Sequence, residues 1–389
     1  MDLVCAFLNF VWGLSLTILP ILAFQLGSAY AQIALIATVF SLVNGLSQPL
    51  WGVVSDRLGK RKVFIVLGFA VSGLMFVVVG FARTVNEIIL ARAGVGLCVA
   101  AVVPMALAMT ADLSSPERYG RNIGALNASN SIGFALGLGL SGALAELLGI
   151  HATIILCAAL SLTAAALSML LTEPSASTEP EERPTYDSSP AISPLGDLKH
   201  ISSAALIPLY SVAFTYIFGE ALIGVFFPLF LLQMGISRSA VGFLLFLRSA
   251  VTTLLTIPFG SLSDRYGRKR FISSGVFIYG IGYLTFRFSS SFWGIVAAQI
   301  LTGVGAAAFV AGGNALVADV TQPANRAVAM GLFNASTNLA YAIGPIVGGN
   351  LADRYGLFSA LTLVPAVQGV ASILSLLFLK ETLPSQSRR

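Results

Sequence analysis

Charge is scarce in this chain. Lys, Arg, Asp and Glu supply 10% of its 389 residues, while 56% are hydrophobic. A soluble domain carries roughly 25% charged residues. No water-exposed skin can be built from this composition, so a soluble globular fold is excluded. Histidine is almost missing: His151 and His200 are the only two. Neither sits in an HExxH pattern, and GxSxG and the phosphate loop GxxxxGK[ST] are also missing. That leaves no basis for a zinc hydrolase, a serine hydrolase or an ATP-driven pump. Cysteine is limited to Cys5, Cys98 and Cys157, each inside an apolar run and without CxxC spacing. They read as small packing residues, not as a disulfide framework or metal ligands. The expectation is a non-enzyme with no cofactor and no bound metal. Only Met1 and Asp2 precede the first apolar run, so the cationic leader of a cleavable signal is missing. That run reads as a first membrane span.

Long apolar runs are what the chain has in abundance. Spans are expected near 3–24, 32–54, 63–82, 87–110, 122–145 and 150–171. A second set is expected near 203–229, 238–262, 271–288, 292–317, 327–351 and 358–379. A bilayer core takes roughly 20 residues per helix, and twelve such helices fill the length. Between the sets, residues 172–200 hold five prolines with serines and acids, which reads as a flexible linker. Three units follow: a six-helix bundle over 1–172, a cytoplasmic linker over 173–200, and a second bundle with its tail over 201–389. Sixteen of the 22 Lys and Arg fall in the loops, linker and tail of one side, and four on the other. Cation excess marks the cytoplasmic face, so both termini are expected there. The net charge of +5 follows from those loops and is not a nucleic-acid signal.

The second feature is a repeat. Gly52-Val53-Val54-Ser55-Asp56-Arg57-Leu58-Gly59-Lys60-Arg61-Lys62 returns 208 residues later as Gly260-Ser261-Leu262-Ser263-Asp264-Arg265-Tyr266-Gly267-Arg268-Lys269-Arg270. Near-constant offsets continue elsewhere. Pro20 matches Pro228, Asp112 matches Asp319, Gly124–Ser129 matches Gly331–Ser336, and Glu146 and Gly149 match Asp353 and Gly356. Parallel repeats of this kind imply a pseudo-two-fold axis along the membrane normal and a path between the halves.

Charges inside spans are costly, about 2.5 kcal/mol or more each at the bilayer centre, and so point to function. Three stand out: Arg92, Glu220 and Arg248. Each breaks the repeat, because Gln299, Trp12 and Phe40 hold the matching positions. Burial disfavours the charged form of a carboxylate, which suits Glu220 to carrying protons. The plain alternative is a permanent ion pair with Arg248. Arg248 also suits an anionic group on a substrate. Polar side chains on apolar spans are candidates for a cavity wall: Asn9, Asn44, Gln48, Asn127, Asn130, Tyr216, Gln299, Asn314, Asn334 and Asn338, with Trp12, Phe214 and Tyr341. Interhelical hydrogen bonding is the competing role for the polar ones. A mostly apolar wall favours lipophilic or amphipathic small molecules.

The twice-used charged turn, following the second span of each half, resembles the signature loop of the major facilitator superfamily. The resemblance covers nearly the whole chain. It implies an all-α membrane protein of twelve transmembrane helices in two pseudo-symmetric six-helix bundles, working by alternating access. It also implies that Gly52, Asp56, Arg57, Gly59 and Arg61 brace Asp112 and the start of the eleventh helix. Asp264, Arg265 and Arg270, with Gly260 and Gly267, would do the same at Asp319. Arg92 and Gly96 resemble a fourth-helix motif of proton-coupled drug exporters, which implies a share in proton coupling for Arg92, although Val95 replaces its usual polar residue. Gly344-Pro345-Ile346-Val347-Gly348-Gly349 resembles an antiporter motif that belongs to the fifth helix, where this chain has Gly137–Gly142 without proline.

The expectation is a monomeric secondary transporter in a bacterial inner membrane, exporting small lipophilic compounds against protons. The alternative is proton-linked or passive movement of a small organic metabolite. A receptor or lipid-handling role comes third.

Overall fold

The computed structural model describes residues 2–115, 118–171, 203–289, 291–321 and 325–382, and the side chain of Asp56 is not among those described. The expected linker, His200 and most of the tail lie outside these residues. Thirteen helices are described: α1 (Asp2–Gln25), α2 (Tyr30–Leu58), α3 (Lys62–Gly80), α4 (Val85–Asp112), α5 (Tyr119–Leu147), α6 (Ile150–Ser168), α7 (Ser203–Gly224), α8 (Phe227–Gln233), α9 (Arg238–Tyr266), α10 (Arg268–Phe288), α11 (Phe292–Val320), α12 (Arg326–Tyr355) and α13 (Leu357–Phe378). Eleven are long and apolar enough to cross a membrane. The twelfth long helix, α12, is 30 residues, but Asn334, Asn338, Asn350 and a cluster of glycines dilute its apolar content.

Two expectations are corrected. The seventh span, expected to be continuous over 203–229, breaks after Gly224, and Pro228 sits in the first turn of the short α8. A proline there gives up an N–H that a helix start leaves unbonded anyway. The charged motif is also mostly helix, not turn. Gly52–Leu58 forms the last turns of α2. Gly260–Tyr266 does the same for α9, leaving Gly267 alone between α9 and α10. Glycine in these stretches leaves space on the helix surface, with open room around Gly52 and Gly260.

The repeat is written into the backbone. All residues described with positive φ are glycines, and they form three pairs at the repeat offset: Gly27 and Gly235, Gly59 and Gly267, Gly149 and Gly356. A left-handed residue at these helix ends costs an L side chain about 1–2 kcal/mol, and glycine avoids that. Packing repeats too. α1 lies on α5 as α7 lies on α12; α2 lies on α4 as α9 on α11; α3 lies on α6 as α10 on α13. Without a hydrophobic force between helices in lipid, close backbone approach drives such contacts. At α1–α5, Gly137 meets the Phe10 backbone; at α7–α12, its counterpart Gly344 meets Phe218, the counterpart of Phe10.

The halves meet mainly through α5 against α9 and α2 against α12. Both contacts concentrate at the end away from the charged motifs. Gly142 abuts the Arg238 carbonyl and Ser239, and Gly349 abuts the Tyr30 carbonyl and Ala31. At the charged end, a Cβ added at Gly45, Gly52, Gly124, Gly260 or Gly331 would touch nothing within 4 Å. The two halves therefore form a cleft sealed at one end and open at the charged end.

Candidate functional site

Position 220 on α7 and position 248 on α9 face each other inside the C-terminal half. The Glu220 carboxylate and the Arg248 guanidinium form a hydrogen-bonded ion pair whose side chains are 15% and 23% exposed. Arg248 also lies over the Tyr279 ring, 5.4 Å from its centroid. Tyr279 is packed edge-on against Tyr216 at 5.0 Å and next to Tyr283 at 5.2 Å. Tyr341 of α12 is 38% exposed and lies close to Glu220. This is a pair with a dry aromatic back and a partly open front.

Arg92 stands apart from it. The three intramembrane charges are not one network. Arg92 is 5% exposed in the N-terminal half and rests on the Phe40 ring at 4.1 Å. Trp12 packs edge-on against the same Phe40 at 5.9 Å and is 37% exposed.

The polar candidates divide. Asn9 donates to the Asn130 side-chain oxygen at 2.9 Å, tying α1 to α5. Asn44 donates to the Gly96 carbonyl at 3.2 Å, tying α2 to α4, and accepts from Gln48 at 2.9 Å. Asn127 on α5, its counterpart Asn334 and Asn338 on α12, and Asn314 on α11 are exposed. Phe214 is half-buried and stacks on Phe218. Tyr216 and Gln299 are corrected: each is 1% exposed and buried in the C-terminal half, so neither forms a wall of the cleft. The Tyr216 ring stacks on Phe309 at 4.1 Å, and its carbonyl accepts from Gln368. Gln299 keeps an unpartnered Nε2. A polar side chain read as open simply found the bundle interior.

At the charged end, Arg61 pairs with Asp112 at 2.5 Å, within the N-terminal half. Arg57 is exposed and forms no ion pair among the described residues. In the other half the expected partners are corrected. Asp319 pairs with Arg268 at 3.0 Å, not with Arg265 or Arg270, which are exposed. Arg268 also pairs with Asp264 and donates to Ser263 Oγ at 2.6 Å. Its place directly after Gly267 starts α10 and turns its side chain back along the end of α9. Glu381, beyond α13, accepts from the Lys269 N–H, a contact that the sequence pattern did not suggest.

At the sealed end sequence reasoning passed over two acids. Glu146 accepts from the backbone N–H of Ser239 at 3.1 Å and from its hydroxyl at 2.5 Å. Asp353 accepts from the Tyr30 and Ala31 N–H groups at 2.7 and 2.9 Å. Each acid of one half thus caps the first turn of a helix in the other, where N–H groups and the helix dipole favour an anion. The signal was present as a repeat match, Glu146 with Asp353, but matching residues do not reveal a partner.

Two membrane bundles with a shared packing pattern and one cleft already narrow the field. The family model described as Major Facilitator Superfamily matches residues 2–215 and again 209–389. The chain belongs to the major facilitator superfamily. As such it is a membrane transporter of small molecules, not an enzyme. An uncharacterized MFS-type transporter of Methanocaldococcus jannaschii is 28% identical over 345 residues, covering 89% of this chain and 88% of its own. The multi-drug resistance efflux pump PmrA of Streptococcus pneumoniae is 24% identical over 371 residues, covering 90% and 88%. Among solved structures, a bacterial homolog of the human lysosomal transporter Spinster, inward-facing and unoccupied, superposes with a TM-score of 0.83 at 16% identity, covering 97% of this chain and 95% of that one. That likeness concerns the fold of this major facilitator protein and nothing finer.

Proposed function

We propose that this protein exports small lipophilic or amphipathic compounds in exchange for protons. The observation that carries the reading is the Glu220–Arg248 pair. It is the one carboxylate–guanidinium pair described within the spans, it lies beside the cleft, and the repeat does not duplicate it. A structural pair common to both bundles would be expected twice. Protonating Glu220 releases Arg248, and the pair reforms when the proton leaves, so occupancy by a proton and by a substrate can be coupled at one place. Similarity to a multi-drug efflux pump supports a lipophilic cargo. The charged motifs are read as the cytoplasmic face by their cations. On that orientation the cleft opens inward. The bracing motifs Arg61–Asp112 and Arg268–Asp319 are read as parts of a gate that closes when the cleft opens outward, with the protein acting as a monomer in a bacterial inner membrane.

The test is resistance and transport together. Expression should lower sensitivity to several unrelated lipophilic cations, and inverted vesicles should accumulate one of them when an inward-acid gradient is imposed. Glu220→Gln should abolish both. Undiminished gradient-driven uptake by Glu220→Gln would sink the proposal. Proton-linked movement of a single metabolite is the second reading, favoured by the partly open Arg248 side chain. One compound would then raise the melting temperature alone, by mass action.

A further inference from the structure

The repeat places two arginine sites in related surroundings, and one of them lacks its anion. In the C-terminal half, Arg248 of α9 is neutralised by Glu220 of α7. At the repeat offset, Glu220 becomes Trp12 and Arg248 becomes Phe40, while Gln299 becomes Arg92. The N-terminal half therefore keeps a cation at this depth but has exchanged the carboxylate for an indole. Arg92 is 5% exposed, and among the described residues no Asp or Glu pairs with it. Its Nε is buried without a hydrogen-bond partner. The Phe40 face, 4.1 Å from the guanidinium carbon, offsets part of the charge, but less than a buried ion loses with its water.

Space adjoins this cation. Two small cavities flank the Arg92 side chain, about 20 and about 30 Å³. Each holds a water-sized sphere, for which 10–15 Å³ suffices by the usual measure. The first is also lined by the side chains of Trp12, Ser15, Ser72 and Ser161, so hydroxyls border it. A single monoatomic anion fits a space of this size.

We infer that Arg92 holds a small inorganic monovalent anion of the size of chloride, bound between α1, α2 and α4 as the counter-ion that Glu220 supplies in the other half. The guanidinium provides the charge. The indole and phenyl rings exclude bulk water, which strengthens the attraction. The anion is a fixed partner, separate from the exported cargo.

The test uses the purified full-length protein in detergent, without transport, so its outcome is separable from that of the export proposal. Thermal midpoints are compared in sodium chloride, bromide, gluconate and acetate at constant ionic strength. Chloride and bromide should raise the midpoint saturably by about 2 °C or more over gluconate, as expected for ligand linkage. Acetate should match gluconate. Trp12 emission, isolated by Trp51→Phe and Trp293→Phe, should be quenched by bromide at the concentrations that raise the midpoint. Arg92→Gln should remove both effects. Trp12→Glu, which restores the carboxylate by the logic of the other half, should raise the gluconate midpoint and remove the chloride increment. Equal midpoints of the wild-type protein in chloride and gluconate would overturn the assignment. So would a chloride increment that survives Arg92→Gln, or an acetate effect equal to that of chloride, which would assign the site to carboxylates.

Discussion

At the scale of single residues, the decisive contrast is between a paired and an unpaired buried charge. Removing one member of a buried pair leaves the other without compensation and typically costs about 3–5 kcal/mol, whereas replacing both is often near neutral. Arg248→Gln should therefore lower the melting temperature markedly, because it strands Glu220 among Tyr216, Tyr279 and Tyr283. The double variant Glu220→Gln/Arg248→Gln should recover most of the loss while remaining inactive in proton-driven transport. Scanning fluorimetry of the two singles and the double gives the coupling directly. A double variant as unstable as the sum of the singles would mean that the pair holds no mutual stabilisation. Both residues were legible in the sequence because a charge inside an apolar run is conspicuous. Tyr216 and Gln299 were not placed correctly, since a polar residue on an apolar helix looks the same whether it faces a cleft or a neighbouring helix. Arg268 was missed for a related reason: four cations in six residues around Gly267 leave the choice of partner to local helix geometry.

At the scale of helices, the sealed end is built from a four-residue spacing used twice. Gly142 and Glu146 lie one turn apart on α5, and Gly349 and Asp353 lie one turn apart on α12. Residues at that spacing share a helix face. The glycine lets the backbones touch, and the acid then reaches the first turn of the neighbouring helix. A cap of this kind satisfies N–H groups that the helix start leaves unbonded. Glu146→Ala with Asp353→Ala should weaken the seal and shift the ratio of closed to open ends toward open. Distances between spin labels at the outer ends of α2 and α12 should then lengthen in a fraction of molecules. An unchanged distance distribution would show that the glycine contacts suffice alone. Gly349→Leu should be more severe, because any added side chain meets the Tyr30 carbonyl and Ala31. Element positions were largely readable in advance: observed helix ends fall within a few residues of those expected from apolar length. The exceptions were the break between α7 and α8 and the helical course of the charged motif. Both arise where proline or glycine permits a turn but neighbouring packing decides whether one forms.

At the scale of the whole molecule, the two halves are related by a repeat of 207–208 residues that governs backbone turns, helix pairing and inter-half contacts alike. Such symmetry gives the cleft two possible seals, one at each end, and the described state uses the end with Glu146 and Asp353. A transporter must release that seal in each cycle if it works by rocking the halves. Locking it should therefore stop transport without unfolding anything. Glu146 and Ser239 are in hydrogen-bond contact across the α5–α9 junction, so cysteines placed at 146 and 239 come within reach of a short, disulfide-containing dithiol crosslinker. The natural Cys5, Cys98 and Cys157 are free and are replaced by Ala to leave this pair alone. The crosslinker should join the pair, abolish uptake of lipophilic cation into inverted vesicles, and leave the melting temperature equal or higher. Reduction should restore uptake. A second pair at the charged end, Gly52→Cys with Gly331→Cys, stands in open space here, and should cross-link only under conditions that populate the opposite state. Full transport by protein quantitatively cross-linked at 146 and 239 would mean that this junction never opens, and that the halves do not rock about the cleft between them.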